Sequence, residues 1–485
     1  MNFTTTLYPY QQEAVEKLKR LKVSALYMEM GTGKTRTMLE LIDRRHEKGK
    51  IDAVIWMCPT SVIQNLREEI KYQVGEIPPW IIVAGIQSIQ GSDRIYAKLL
   101  QLVMTRKVYL VVDESNLVKN FFSKRAQRIT ELSRHCQYKS ILNGTPVSRN
   151  ESDMFAQWYI LDPRILGYQS FYSFAANHLV FREVKDRWGN RRKTNQVVRV
   201  LNINYLTEKI APYSYQITKQ EADIKLPPKS YHTWYYRMTG PQSSEYESTK
   251  WAYLAEVDEF RVDTIFKLFT ALQHVISGRE VLTGPSVRME TVDMFDNIYQ
   301  NPRIDTLADL LTNIGDQQAV IFAKYKSEID EISQLLTDRG QTFREFTGRI
   351  NKRQREENRL AFKNGDAQFL LSNKMCGAYG LNLQFCHVVI FYSNDFDYAT
   401  RAQAEDRVYR LGQTETVYIY DIVCEGTIDE LIQGNLDGKT NMVDSFKAWI
   451  KRQIEEEKKR KEEIRKKRKE QRDRKKQKEM EKKGA

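Results

Sequence analysis

Cysteine is scarce in this chain: Cys58, Cys136, Cys376, Cys386 and Cys424 are the five in 485 residues, and no two form a C-x-x-C pair. That spacing excludes a disulfide framework and a zinc cage, and it fits a reducing compartment. Long apolar runs are missing as well. Stretches such as Val108–Val112 fall far short of the ~20 residues that a bilayer span needs, so no membrane association is expected. The opening MNFTTTLYPYQQEAVEKLKR has no apolar h-region, and no secretory signal is expected from it. No repeat of solenoid period is visible. What is present is 41% hydrophobic and 29% charged residues, which excludes a wholly disordered polymer. The length suggests about three domains.

The net charge of +13 is unevenly spread. Residues 451–485 hold 18 basic and 9 acidic side chains, a net of +9, which leaves residues 1–450 with 58 and 54, a net of only +4. The tail has almost no apolar residue and cannot bury a core. Its Glu455–Lys459, Glu456–Arg460 and Glu457–Lys461 pairs at i,i+4 favour a solvated helix. It reads either as that and nothing more, or as an arm that touches nucleic acid.

Short apolar runs alternate with helix-like stretches over the first 160 residues: Val23–Met28, 53–57, 81–83, Val108–Val112 and 141–142. A second series follows at Ala319–Ala323, Phe343–Phe346, 369–372, Val388–Phe391 and 417–423. Such alternation predicts parallel sheets covered by helices, and hence an α/β fold of two lobes. Residues 162–300 break the pattern and read as a mostly helical insertion. The expected domains are therefore 1–161, 162–300, 301–440 and a basic helical tail at 441–485.

The run Val23–Met28 is followed by Glu29-Met30-Gly31-Thr32-Gly33-Lys34-Thr35 and a helix-like segment. Strand, glycine-rich turn, Lys-Thr and helix is the context that a phosphate-binding loop requires. Gly31 and Gly33 let backbone N–H groups approach phosphates, and the helix N-terminus adds a positive dipole end. Lys34 would pair with β/γ-phosphate oxygens of ATP and Thr35 would ligate Mg²⁺. Met28 stands where the full pattern has its first glycine. The run Val108–Val112 ends in Asp113-Glu114, which suits Asp113 as the second Mg²⁺ contact and Glu114 as the base toward water. Arg407 and Arg410, spaced i,i+3, are the candidate arginine fingers for charge on the γ-phosphoryl group, and they are expected in the second lobe.

With these motifs the chain resembles a superfamily-two helicase motor, most closely the Swi/Snf-type ATPases, across roughly residues 7–435. Leu7-Tyr8-Pro9-Tyr10-Gln11 is similar to the family's opening, which gives Gln11 the role of reading adenine. Gly31, Thr32, Gly33, Lys34, Thr35, Arg36 and, in the second lobe, Gly380 complete the nucleotide candidates that the resemblance implies. Cys58-Pro59-Thr60 resembles a segment that touches a DNA strand, so Pro59 and Thr60 inherit that role. Asn143-Gly144-Thr145-Pro146 is similar to T-G-T-P, which links hydrolysis to lobe movement. Asn382, within Gly380-Leu381-Asn382-Leu383, and Gln403, opening Gln403 to Gln413, resemble the segments that contact DNA and carry the fingers.

Three departures stand out: Ser115-Asn116 in place of Ala-His, Asp395-Phe396-Asp397 in place of D-x-x-W-N-P, and the absence of any reader-domain segment. The resemblance implies two RecA-like lobes and a minimal motor of phage or bacterial type, active as a monomer in the cytoplasm. Its cofactors would be ATP and Mg²⁺, without zinc. Its activity would be DNA-dependent ATP hydrolysis with tracking along double-stranded DNA, and without strong sequence preference. A strand-separating DNA or RNA helicase is the nearest rival, and a non-hydrolysing nucleic-acid adaptor a distant one.

Overall fold

The computed structural model describes residues 1–144, 153–185, 191–256, 262–373, 382–396, 398–438 and 442–483. The chain divides into two compact units, and the division does not follow the sequence. The first comprises Met1–Pro228 together with Met375–His387 and Ala402–Val417; the second comprises Lys229–Lys374, Val388–Arg401 and Tyr418–Ala485.

In the first unit a six-stranded sheet is built from β1 (Val23–Met28), β2 (Ala53–Cys58), β3 (Ile81–Gly85), β4 (Val108–Val112), β5 (Tyr138–Asn143) and β8 (Ser214–Ile217), in the order β3-β2-β4-β5-β1-β8. All its neighbours pair in parallel. The inner strands are near-continuous apolar runs because both faces are covered. Along β1, Ala25 and Tyr27 enter one apolar cluster while Leu26 and Met28 enter the other. A separate antiparallel ribbon, β6 (Leu179–Lys185) with β7 (Arg191–Val200), precedes β8.

The second unit has its own six-stranded sheet. It takes β9 (Lys229–Tyr236), then, after the small hairpin β10 (Arg279–Val281) and β11 (Thr291–Asp293), the strands β12 (Ala319–Ala323), β13 (Phe343–Phe346), β14 (Phe369–Asn373), β15 (Val388–Phe391) and β16 (Val417–Cys424). Their order is β13-β14-β12-β15-β16-β9. Every residue of β12 and β15 is buried.

Residues 162–300 do not form the single, mostly helical insertion that the broken pattern predicts. They split at Pro228, giving the edge strand β8 to the first sheet and β9 to the second. Edge strands are short or half-exposed and lack a long apolar run, which is why the pattern missed them. The tail forms one helix, Met442–Lys483, whose 42 residues span about 63 Å. Phe446 and Ile450 near its start are buried in the core of the second unit, and beyond them the helix is almost wholly polar. Among the described residues no helix is long and apolar enough to cross a membrane.

Candidate active site

Parallel register brings the motifs to one edge of the first sheet. Met57 of β2 lies beside Val112 of β4, Val112 beside Ile141 of β5, and Asn143 beside Tyr27 of β1. The residues that follow these strands therefore converge at their carboxyl ends, where open parallel sheets bind ligands. They are Glu29, Pro59 and Thr60, Asp113 and Glu114, and Gly144.

The loop after β1 turns into helix α2 (Lys34–Glu47) through Gly31 at φ 84° and Gly33 at φ 81°. Both angles are in the left-handed region that side chains disfavour. A Cβ on Gly33 would collide with the amide of Gln11, which is seated against the loop. Gln11 Nε2 donates to Thr32 O at 3.0 Å, and its Oε1 accepts from Tyr8 N at 3.0 Å. Gln11 thus braces the phosphate loop, a contact its assignment to adenine did not foresee. Thr32 Oγ1 donates to Glu29 O at 2.7 Å, and Lys34 Nζ to Met28 O at 2.7 Å. Thr35 is buried in the first turn of α2, which carries no acidic residue to oppose an anion.

Arg36 is placed differently from its assignment. Its guanidinium donates to Thr5 O and Glu40 and stacks 3.7 Å over Phe3, so it anchors the N-terminal segment and does not stand ready for a nucleotide. A buried Arg close to so many acceptors is consumed by them.

Asp113 and Glu114 sit where β4 ends. Burial and the neighbouring Glu114 charge push the Asp113 carboxyl up to about 7, against the opposing pull of Lys34 and the Glu114 backbone N–H, which donates to Asp113 Oδ1 at 2.9 Å. The carboxylate after β4 and the Thr35 hydroxyl in the first turn of the helix after β1 follow strands that end at the same edge of the sheet, and both are hard oxygen donors. The pair Thr35 and Asp113 therefore fits Mg²⁺. Glu114 has φ 48° and ψ 54°, left-handed for a non-glycine residue, a strain on the order of 1–2 kcal/mol that turns the chain sharply after the strand.

The segment Ala402–Val417 packs with this unit, although the sequence places it among strands of the second lobe, where the fingers were expected. Burial, helped by charge repulsion from Arg410, lowers the Arg407 guanidinium to about 10, while Glu114, Asp406 and Glu69 pull the other way. Arg410 lies against the phosphate loop, its Cβ 3.4 Å from where a Gly31 side chain would start, and its guanidinium bonds Asn382 Oδ1.

Lys219, just beyond β8, ties the two parts together. Its Nζ meets Asp406 Oδ1 at 2.6 Å and Tyr409 O at 3.1 Å, while its backbone N donates to Glu29 Oε2 at 2.7 Å. Glu29 opens the phosphate-loop motif, whereas Lys219 lies in no motif; the alternation of buried Tyr215 and Ile217 in β8 was the available signal for it.

The departures at Ser115 and Asn116 are built in. Ser115 Oγ donates to Gln157 Oε1 at 2.6 Å, and Gln157 Nε2 donates to Asp153 O at 3.0 Å. Among the described residues Asn116 Oδ1 and Asn143 Nδ2 are buried without a hydrogen-bond partner, and Asn143 Oδ1 accepts from Gly144 N at 2.8 Å. Pro59 is buried and Thr60 exposed, with Thr60 Oγ1 donating to Gln87 Oε1 at 3.0 Å. Gln403 lies on the helix Tyr398–Glu405. Thr145 and Gly380 fall outside the described residues.

Comparison with known proteins agrees with this reading. The model of the SNF2-related domain matches residues 10–282, more than half of the chain, and that of the helicase conserved C-terminal domain matches residues 302–412. The TATA-binding protein-associated factor MOT1 of Saccharomyces cerevisiae is 24% identical over 520 residues, 91% of this chain and 27% of its own length. The putative ATP-dependent helicase/translocase YwqA of Bacillus subtilis is 24% identical over 490 residues, 94% of this chain and 50% of its own. The chain thus spans half or less of these relatives. Among solved structures, the Hef helicase domain of Pyrococcus furiosus shares the fold, with a TM-score of 0.52 at 13% identity, over 88% of this chain and 98% of that one. With a phosphate loop, a pair of carboxylates and an arginine segment gathered in one unit, and with the SNF2-related domain model matched over more than half of its length, the chain belongs to the SNF2-related family.

Proposed function

We propose that this chain couples ATP hydrolysis to movement along duplex DNA, which it holds by the phosphates without reading bases. The observation that carries the proposal is the gathering of Lys34, Asp113, Glu114, Arg407 and Arg410 in one compact unit, with Lys219 bridging the phosphate loop and the arginine segment. The name of the Bacillus relative, a putative helicase/translocase, points the same way.

Lys34 and the N–H groups opening α2 bind the phosphates. Thr35 and Asp113 would hold Mg²⁺, which supplies positive charge to the phosphate oxygens. Glu114, fixed by its strained backbone, accepts a proton from the attacking water. Arg407 and Arg410 oppose the charge that builds on the transferred group.

The test is steady-state ATPase with and without DNA. Lys34→Ala and Glu114→Gln are each expected to lower DNA-stimulated turnover by about 10²–10⁴-fold while the circular dichroism stays native. Undiminished turnover in either variant removes the site assignment. Triplex displacement without fork opening on the same preparation supports duplex tracking; fork opening without triplex displacement supports strand separation instead.

A further inference from the structure

The ribbon of β6 and β7 is joined by no third strand among the described residues. Its base is built into the core of the first unit: Leu179 is buried, and Phe181, Val197 and Val200 pack against the same apolar cluster. The chain is clamped where the ribbon begins and ends. Leu201 N donates to His178 O at 2.7 Å, His178 Nδ1 lies 3.0 Å from Leu201 O, and Tyr168 Oη lies 2.8 Å from His178 Nε2. Two register shifts between Val180 and Glu183 add local twist. At about 3.3 Å per residue, the ten residues of β7 reach about 33 Å.

Beyond the shifts the register pairs Glu183 with Lys193, Val184 with Arg192, and Lys185 with Arg191. Five of these six residues are charged and one is apolar, so this half of the ribbon has little with which to build a core. Arg199 at the base is exposed. The two strands hold six basic residues and one acidic, a net of +5, so the remainder of residues 1–450 sums to −1. Outside the tail, the excess positive charge of the chain is concentrated in this ribbon.

We infer that the β6–β7 ribbon is a phosphate-gripping arm for duplex DNA, separate from the ATP site and rooted at its base in the unit that holds it. A two-stranded ribbon has the width that the major groove admits, and its charge is of the sign that releases counterions. The inference rests on the DNA-binding reading above.

The experiment measures binding to a 30-base-pair duplex across a salt series, together with ATPase, for the full chain and for Arg191→Gln/Arg192→Gln/Lys193→Gln. The variant is expected to bind about tenfold or more weakly at 0.1 M salt. Its slope of log K against log salt should flatten by about 0.9 for each DNA phosphate that the variant no longer neutralises. The DNA concentration for half-maximal ATPase should rise, with turnover at saturating DNA within twofold of the parent. The charge-preserving variant Arg191→Lys/Arg192→Lys should keep the parental slope, since a point charge suffices for a phosphate. Removing residues 451–485 from both proteins should leave the difference between them in place. Unchanged affinity and slope in the glutamine variant overturn the inference while leaving the DNA-motor reading intact, and so does equal weakening in the lysine variant. A parent chain that neither binds DNA nor is stimulated by it overturns both.

Discussion

Asp113, half-buried just past the end of β4 in the first unit, and Asp421, buried in β16 of the second, meet different company. Asp421 accepts hydrogen bonds from Arg401 at 2.5 and 2.8 Å and from Asn394 at 2.7 Å, and Arg401 also stacks 3.5 Å over Phe391. Nearby, buried Arg303 reaches Asp429 at 3.1 Å, Ser277 Oγ at 3.1 Å and Ile422 O at 3.3 Å. Asp421 and Asp429 are each met by a buried arginine of the same unit. In the first unit Asp113 receives one backbone hydrogen bond and the field of Lys34, and its carboxyl sits near 7. Internally paired charge holds a fold in one arrangement; charge left short of a partner is available to a ligand.

The largest expected effect tests that contrast directly. Arg401→Met strands the Asp421 carboxylate in the core and should cost about 3–5 kcal/mol in denaturant unfolding. Asp113→Asn removes a charge that burial already disfavours; it should leave the melting temperature unchanged or raise it, while abolishing ATPase. Comparable destabilisation by the two would break the comparison.

His274 is a group of the second unit whose charge is not accommodated. Burial lowers its imidazole to about 4, with Lys324 and Arg279 acting in the same direction and Glu328 against them. The folded state then binds fewer protons than the unfolded chain between about 6.5 and 4. The stability this group contributes is complete above pH 6.5 and declines as pH falls, by at most about 3 kcal/mol. His274→Gln should lose less stability than the parent between pH 7 and pH 4.5. An equal loss would assign the acid sensitivity elsewhere.

The smallest effect sharpens the role of the first unit. Lys219→Met releases Asp406 and Tyr409 from the phosphate loop. It should lower kcat about tenfold, worth about 1.4 kcal/mol, with little change in binding of a non-hydrolysable ATP analogue. Lys219→Arg should restore part of the rate. A fall in analogue binding that matches the fall in kcat would make Lys219 a binding residue and not a positioning one.

Much of the fold is legible in the chain. Val23–Met28, Val108–Val112, Ala319–Ala323, Phe343–Phe346 and Val388–Phe391 are strands with the bounds that the apolar runs predict. All but β13, an edge strand with the sequence FREF, are inner strands, and a strand buried on both faces must be mainly apolar, so its pattern survives without knowledge of its neighbours. The phosphate loop is equally local, since Gly31, Gly33, Lys34 and Thr35 act through adjacent backbone. The edge strands β8 and β9 carry no such signal, because half of each faces away from the core. The contacts of the Arg36 side chain are not legible in its motif, because Phe3 and Thr5 are some thirty residues away.

The sequence by itself determined two helix-covered parallel sheets, the loop that cradles phosphate and the carboxylates that end β4, since each depends on neighbours within a few residues. Only the tertiary structure decided that residues 162–300 would be shared between the two sheets and that Arg407 and Arg410 pack with the unit that holds Lys34. Only it decided that Lys219 bridges them. Those outcomes depend on which surfaces meet, and contacts across nearly two hundred residues of chain leave no periodic trace in it.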